Sequence, residues 1–121
     1  MTQKILIIDD EQDIVDTLQF TLETEGYECY TAFDGEHGLQ LAKELSPDLI
    51  ILDVMMPKMN GFKICRLLKY DTLYKDIPII MLTARSQTED RTIGEETGAN
   101  EYITKPFDLE DVVNKVKTYL D

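Results

Sequence analysis

The chain has 121 residues, of which 43% are hydrophobic and 30% charged, a composition typical of one soluble globular domain with a sizeable core. Its 24 acidic and 12 basic residues give a net charge of -12, which argues against direct nucleic-acid binding because phosphate contacts require basic patches. The sequence has no apolar span of membrane-crossing length and no signal-peptide pattern, so we expect a cytoplasmic protein without membrane contact.

The two cysteines and the single histidine do not indicate a chemical site. Cys29 and Cys65 are far apart and belong to no C-x-x-C motif or Cys/His cluster, so neither a zinc site nor a redox motif is supported. We expect both to be small thiols in the core or at its boundary. His37 lies in a polar helical stretch without a partner pattern, which gives little support to general-base catalysis by histidine.

The first part of the chain alternates strand and helix patterns. Lys4 to Ile8 predicts a strand that runs into an acidic stretch. Apolar residues recurring every four positions predict a helix from Asp13 to Glu25, and Gly26 follows where a helix would stop. Tyr27 to Ala32 predicts a second strand, placed at the sheet edge because it is less apolar than the first. A second helix is predicted to end before Ser46 and Pro47.

The third predicted strand is the centre of the sequence. Leu49 to Leu52 is a continuous apolar run, as expected for a strand covered on both faces, and it delivers Asp53 to its carboxyl end. Pro57 and Gly61 mark the loop that follows. A third helix is predicted from Phe62 to about Tyr70.

The fourth strand and fourth helix differ strongly in apolar content. Ile79 to Leu82 is another continuous apolar strand and ends in Thr83 and Ala84. Gln87 to Thr97 predicts a helix in which Ile93 is essentially the only large apolar residue. We expect this helix to be the loosest, because little burial opposes its conformational entropy.

A last strand and helix complete the pattern. Glu101 to Thr104 predicts a short strand that ends at Lys105 and Pro106, and one apolar stripe predicts a helix from Leu109 to Leu120 with Asp108 as its N-cap. Five strands alternating with five helices require right-handed crossovers and a parallel sheet. We therefore predict one doubly wound α/β domain over residues 1–121, with helices on both faces.

Polar residues follow four of the predicted strands, and ligands bind at this edge of such sheets. They are Asp9, Asp10, Asp53, Thr83 and Lys105. Three neighbouring carboxylates repel one another, and a divalent cation relieves that repulsion. Mg²⁺ suits a few carboxylates plus waters and phosphate oxygens. The pattern predicts a phosphate-transfer site in which Asp53 is the nucleophile, Thr83 a hydroxyl donor and Lys105 a positive charge.

Each residue taken alone has an ordinary structural explanation. Asp53 could form a turn, and Asp9 with Asp10 could simply favour a helix N-terminus. Thr83 could cap a helix, and Lys105 could be a surface turn residue. One phosphate site explains their joint occurrence better than several independent structural roles.

Four motifs closely resemble the receiver domain of two-component response regulators, and the resemblance covers the whole chain. They are Asp9-Asp10, the stretch from Asp53 through Met55, Met56 and Pro57 to Gly61, Leu82-Thr83-Ala84, and Tyr102 to Phe107. The resemblance implies a flavodoxin-like (βα)5 fold with a five-stranded parallel sheet in the order 2-1-3-4-5.

The resemblance also implies a role for each site residue. Asp53 matches the phospho-acceptor, with Thr83 and Lys105 completing the catalytic group. The implied ligands of Mg²⁺, or of Mn²⁺ in its place, are Asp9, Asp10, Asp53 and the backbone carbonyl of Met55. Thr83 and Tyr102 match a switch pair, although Tyr102 is equally well explained as a half-buried strand aromatic. The bond between Lys105 and Pro106 is expected to be cis.

The implied function is signalling without a separate turnover substrate. A histidine kinase, a His-containing phosphotransfer protein or a small acyl phosphate would phosphorylate Asp53, and the protein would then dephosphorylate itself. The fourth predicted helix, fifth strand and fifth helix would form an output surface for a downstream protein target or output domain. Met55 and Arg85 match positions that tune phosphoryl lifetime.

The chain is expected to be a monomer or a phosphorylation-dependent dimer. The charges that resemble the dimer contacts of winged-helix regulators are Arg91, Glu96, Glu101, Asp111 and Lys117. Glu95 and Asn100 depart from that pattern, which places this dimer in doubt.

The sequence leaves two other functional classes open. A phosphatase or nucleotide-binding enzyme would need a Gly-rich loop after the first strand, where this chain is acidic. A receiver that no longer accepts phosphate would act only as an interaction module. The sequence does not decide between a stand-alone protein and a piece of a longer regulator.

Overall fold

The computed structural model describes residues 2–56, 59–84 and 98–121. The five strands are β1 (Lys4–Ile8), β2 (Glu28–Ala32), β3 (Leu49–Asp53), β4 (Ile79–Ala84) and β5 (Glu101–Lys105). Within these described ranges the helices are α1 (Gln12–Thr24), α2 (Gly35–Leu45), α3 (Gly61–Lys69) and α4 (Leu109–Leu120). The helix predicted from Gln87 to Thr97 lies outside the described residues.

The strands form one parallel sheet in the order β2-β1-β3-β4-β5. This confirms the predicted fold class and strand order, and it confirms β2 as an edge strand. Ile8 of β1 lies opposite Leu52 of β3, so the residues that follow them, Asp9 and Asp53, emerge side by side. Thr83 of β4 lies opposite Thr104 of β5. The register therefore brings the polar strand ends to one edge of the sheet.

The core has two layers, one on each face of the sheet. Ile5 and Ile7 point towards α1 and α4, whereas Leu6 and Ile8 point towards α2 and α3. This alternation is the two-residue period of a strand, and it explains why strands covered on both faces are apolar at every position. Each fully buried side chain contributes roughly 1.5 to 3 kcal/mol through the hydrophobic effect.

The two cysteines take part in these two layers. Cys29 packs in the layer beside α1 and α4, and Cys65 packs in the layer beside α2 and α3. Both are free thiols and buried, as predicted. Burial raises the pKa of the Cys29 thiol to about 12, which keeps that thiol protonated and unreactive at neutral pH.

Side-chain caps position the starts of three helices. Asp34 accepts a hydrogen bond from the His37 amide at 2.8 Å, and Asn60 accepts one from the Lys63 amide at 3.0 Å. Asp108, the predicted cap of the last helix, accepts from the Glu110 amide at 3.1 Å. Such caps stabilise a helix start by roughly 1 kcal/mol each. Across the described ranges, none of the helices has the length and apolar content needed to span a bilayer.

Candidate functional site

Three carboxylates converge at the carboxyl edge of the sheet. Asp9, Asp10 and Asp53 each offer one oxygen, and these oxygens all lie within 4.8 Å of one another. Asp9 and Asp53 are buried, while Asp10 is exposed. The adjacency of β1 and β3 is what brings the acids together, because Asp9 directly follows one strand and Asp53 ends the other.

A lysine from the far edge of the sheet reaches the acidic group. The Lys105 Nζ atom lies 3.0 Å from Asp9 Oδ2, 3.1 Å from Asp53 Oδ1 and 3.2 Å from Glu11 Oε1. Sequence reasoning placed the first two acids beside this lysine but missed Glu11. The available signal was its position directly after the acidic pair, on the loop that faces the same edge.

The protonation behaviour of the group follows from burial and mutual repulsion. Burial, followed by the negative charge of Asp9, raises the pKa of Asp53 to about 6. Burial also raises the pKa of Asp9, against the hydrogen bonds it accepts from the Glu11 amide and from Lys105. Burial alone would lower the pKa of Lys105, but its hydrogen bond to Asp9 and the charge of Asp53 raise it overall. The lysine therefore stays charged, and the acids are held together at an energetic cost.

The donor set fits a hard divalent cation. Mg²⁺ prefers oxygen ligands and is commonly held by one or two carboxylates together with water and phosphate oxygens. One exposed acid beside two buried acids leaves the solvent side open for those further ligands. A cation there would also relieve the repulsion that raises the pKa of Asp53.

Thr83 presents a buried hydroxyl at the same edge of the sheet. The residue is 1% exposed, and no group in the described part of the chain forms a hydrogen bond with its Oγ1 atom. An unsatisfied buried hydroxyl costs roughly 1 to 3 kcal/mol. A group that brings an acceptor oxygen to this edge would recover that cost.

We expect Thr83→Val to leave the free energy of unfolding unchanged or to raise it by up to about 1 kcal/mol, because it replaces an unsatisfied hydroxyl by a methyl group of similar size. Urea unfolding in the absence of divalent cations measures the effect. Thr31→Val on the edge strand β2 is the matched control. A loss of more than 1 kcal/mol in Thr83→Val would mean that the hydroxyl has a structural partner.

Gly61 packs directly against the backbone of the Asp53 segment. A β-carbon at Gly61 would overlap the carbonyl oxygen of Asp53 and would lie 3.0 Å from the α-carbon of Val54. The Gly61 amide donates a hydrogen bond to the Val54 carbonyl at 2.8 Å. Gly61 therefore lets the start of α3 approach the strand end that carries Asp53.

Gly61→Ala is expected to lower the free energy of unfolding by roughly 1 to 3 kcal/mol, because backbone atoms cannot move aside as a flexible side chain would. It should also weaken divalent-cation binding by displacing Asp53. Urea unfolding and a cation titration check the two effects. Gly26→Ala is the control: its φ of 99° predicts some strain, but among the described residues no atom beyond the two chain neighbours lies within 4 Å of the added carbon, so cation binding should be unchanged.

Of the remaining predictions for the site, the structure confirms one, and the others stay predictions or concern residues outside the described ranges. The Met55 side chain is 63% exposed, and the use of its backbone carbonyl as a metal ligand stays a prediction. Tyr102 is half-buried and packs against the core layer beside α2 and α3, so its role as a switch also stays a prediction. The Lys105–Pro106 peptide bond is cis. Pro57 and Arg85 lie outside the described residues.

The described charges of the suggested dimer are engaged within the chain. Lys117 forms an ion pair with Glu25 at 2.7 Å. The other two contacts join Asp111 to Lys115 and Glu101 to the Tyr119 hydroxyl, each at 3.2 Å. Arg91, Glu95 and Glu96 lie outside the described residues.

Asn100, which replaces an acid common in that dimer pattern, has a structural role. Its side-chain oxygen accepts a hydrogen bond from the Ile79 amide at 3.0 Å, and its own amide donates to the Ile79 carbonyl at 2.9 Å. The Tyr119 hydroxyl donates to the Asn100 carbonyl at 2.9 Å. Asn100 therefore joins the start of β4 to the last helix.

Sequence comparison identifies relatives along the whole chain. Residues 5–117 match the family model described as response regulator receiver domain. The alkaline phosphatase synthesis transcriptional regulatory protein PhoP of Bacillus subtilis is 47% identical over 120 residues, which cover 99% of this chain and 49% of that protein. The DNA-binding dual master transcriptional regulator RpaA of Synechocystis is 46% identical over 117 residues, covering 97% of this chain and 48% of that protein. The chain thus spans about half the length of these relatives.

Solved structures share the fold closely. The chemotaxis protein CheY4 of Vibrio cholerae aligns with a TM-score of 0.91 and 34% identity over 98% of this chain and 99% of that chain. The signal receiver domain of a signal transduction histidine kinase from Syntrophus aciditrophicus aligns with a TM-score of 0.92 and 35% identity, covering 98% of this chain and 90% of that chain.

Proposed function

Because the chain belongs to the response regulator receiver domain family, we propose that it accepts a phosphoryl group on Asp53 in a Mg²⁺-dependent reaction. The observation that carries this proposal is the convergence of three acids and Lys105 at one edge of the sheet. Near the end of β4, Thr83 also presents a buried hydroxyl that has no hydrogen-bond partner among the described residues. Acids, a cation and a hydroxyl donor are the groups that hold and transfer phosphate.

The reaction forms one bond to phosphorus and breaks another. An oxygen of the Asp53 carboxylate attacks the phosphorus, and the bond from phosphorus to a histidine nitrogen or an acyl oxygen breaks with its electron pair on the leaving group. The carboxylate must be ionised to attack. With a pKa of about 6, Asp53 is mostly ionised above that pH.

Residues around Asp53 balance the charge of the incoming phosphoryl group. Asp9, Asp10 and Asp53, with the backbone carbonyl of Met55, would hold Mg²⁺, or Mn²⁺ in its place, and the cation would neutralise phosphoryl oxygens. Lys105 already lies within 3.1 Å of the attacking carboxylate and supplies a second positive charge. The Thr83 hydroxyl donates to a phosphoryl oxygen, which satisfies that buried group.

The phosphorylated state ends when water attacks the phosphorus and the bond from phosphorus to the carboxylate oxygen breaks, which releases inorganic phosphate and regenerates the Asp53 carboxylate. The protein therefore catalyses only its own modification and its reversal. A histidine kinase or a His-containing phosphotransfer protein is the proposed donor in the cell. The net charge of -12 supports an output through protein contacts made by this domain, because phosphate backbones would be repelled.

Phosphorylation is proposed to act on the surface made by β5, by α4 (the fifth predicted helix) and by the helix predicted from Gln87 to Thr97, which lies outside the described residues. A phosphoryl group carries roughly -1.5 to -2 charges, and it would attract the Thr83 hydroxyl and the Lys105 ammonium, which lie at the carboxyl ends of β4 and β5. Tyr102 lies on β5 and is half-buried, so a shift of this strand can change its exposure. The downstream target or output domain would read that change, either on a monomer or on a phosphorylation-dependent dimer.

The test is incubation with acetyl phosphate and Mg²⁺ followed by intact mass measurement. We expect the mass of one phosphoryl group to be added to the wild type and to be absent from Asp53→Asn or after chelation by EDTA. Asp13→Asn, an exposed acid in α1, is the matched control and should be modified like the wild type. No addition to the wild type would instead favour a receiver that acts only as an interaction module. Retention of the added mass in Asp53→Asn would place the acceptor elsewhere.

A further inference from the structure

The Lys105 ammonium has a carboxylate partner for each of its three N–H donors in this structure. An ammonium group has three N–H donors and no acceptor, and the Nζ atom has three carboxylate oxygens within 3.2 Å, from Asp9, Asp53 and Glu11. The phosphoryl group of the proposed function therefore meets a lysine with no free donor. One of the three contacts must break before Lys105 can donate to a phosphoryl oxygen.

Glu11 is the partner that can leave at the lowest cost. Its side chain is 60% exposed, whereas those of Asp9 and Asp53 are 0% and 6% exposed. A carboxylate released from an ion pair must be solvated again. Water already reaches Glu11 but scarcely reaches the two buried acids, so the Glu11 contact is the weakest of the three.

The Glu11 side chain contacts Lys105 and does not cap α1. It occupies the N-cap position of α1, yet its side chain makes no hydrogen bond to the helix backbone. Its own amide donates to Asp9 Oδ1 at 2.9 Å, which fixes the loop between β1 and α1. That loop aims the Glu11 carboxylate at Lys105.

We propose that Glu11 is a positioning residue that holds Lys105 in the resting state and competes with the phosphoryl group for the lysine ammonium. The inference rests on the proposed function, in which Lys105 contacts the phosphoryl oxygens. Glu11 also places a negative charge 3.2 Å from Lys105, which opposes the approach of an anionic phosphoryl donor. Both effects slow phosphorylation, so loss of the Glu11 charge accelerates it.

The test compares phosphorylation rate constants of three proteins with acetyl phosphate and saturating Mg²⁺. Glu11→Gln should react about two- to fivefold faster than the wild type, the range expected when one exposed ion pair is lost. Asp13→Asn removes one charge from the first turn of α1, and no ion pair joins Asp13 to Lys105 among the described residues. Its rate should change less than that of Glu11→Gln and should return to the wild-type value in high salt.

Replacing Glu11 by the shorter aspartate distinguishes the effect of the direct contact with Lys105 from the effect of the negative charge alone. Glu11→Asp keeps the charge but moves it back by one methylene, so its rate in high salt should lie closer to that of Glu11→Gln than to the wild type. A Glu11→Gln rate equal to or below that of Asp13→Asn would overturn the proposal. A purely structural role for Glu11 predicts such a loss of rate.

The contact between Glu11 and Lys105 can also be measured without phosphoryl transfer, through the free energy of unfolding. In a double-mutant cycle, the effects of Glu11→Gln and Lys105→Met on the free energy of unfolding should be non-additive, while those of Asp13→Asn and Lys105→Met should add. If the wild type takes up no phosphoryl group, the proposed function fails and with it the competition. A non-additive cycle would still support Glu11 as the partner of Lys105, and an additive cycle would overturn that as well.

Discussion

Lys105→Met is expected to lower the free energy of unfolding by roughly 3 kcal/mol at pH 8 without divalent cations. Removing one partner of a buried ion pair typically costs about 3 to 5 kcal/mol, because the other charge stays buried without compensation. Here two buried acids, Asp9 and Asp53, lose a cation at 3.0 and 3.1 Å. The lower end of the range applies because Asp53, with a pKa already raised to about 6, can take up a proton.

The loss should depend on pH and on divalent cations in a defined direction. Without the lysine, the pKa of Asp53 rises further, so the folded variant binds a proton more tightly than the unfolded chain. Its deficit relative to the wild type should therefore shrink as the pH falls from about 8 towards about 6, below which Asp53 of the wild type is protonated as well. Mg²⁺ should stabilise the variant more than the wild type, because the ion supplies the missing positive charge.

Urea unfolding at pH 8 and pH 5, with EDTA or with Mg²⁺, measures both dependences. Lys115→Met is the matched control, because Lys115 pairs with Asp111 on the exposed surface of α4 and should contribute less than about 1 kcal/mol. A Lys105→Met variant as stable as Lys115→Met in EDTA would show that the acids do not depend on the lysine.

Much of the fold follows from patterns with a simple physical origin. The run from Leu49 to Leu52 is apolar at every position because helices cover both faces of β3, and that continuity predicted a buried central strand. The fewer apolar residues of β2 predicted an edge strand in the same way. Element ends were less predictable, because backbone hydrogen bonding and capping decide them. The helix predicted to start at Asp13 starts at Gln12, and that predicted to start at Phe62 starts at Gly61, after the Asn60 cap.

The candidate site was predictable where strand ends determine it. Parallel strands bring their carboxyl ends to one edge, so Asp9, Asp53 and Lys105 could be placed together from their positions alone. The contact between Glu11 and Lys105 could not be predicted, because it depends on the conformation of the loop between β1 and α1. The tight packing of Gly61 on the Asp53 backbone could not be predicted either, because the sequence shows a loop glycine but not which atoms it approaches.

Asp53→Asn is expected to raise the free energy of unfolding by about 1 to 3 kcal/mol at pH 8 in EDTA. A pKa raised from 3.8 to about 6 means that the folded protein holds the charged carboxylate at a cost of roughly 3 kcal/mol. Asparagine removes that charge and its repulsion with Asp9, although it also gives up the ion pair with Lys105. A catalytic group is thus expected to be held at the expense of stability.

The sign of the pH dependence identifies the origin of this gain. Between about pH 4 and pH 6 the folded state binds more protons at Asp53 than the unfolded state, so the wild type loses stability as the pH rises through this window. The advantage of Asp53→Asn should therefore be full above about pH 7 and small near pH 4. Asp9, whose pKa is also raised, is present in both proteins, so much of its contribution cancels in the difference. Urea unfolding at several pH values measures this difference. An advantage that stays constant with pH would mean that packing, and not the buried charge, is responsible.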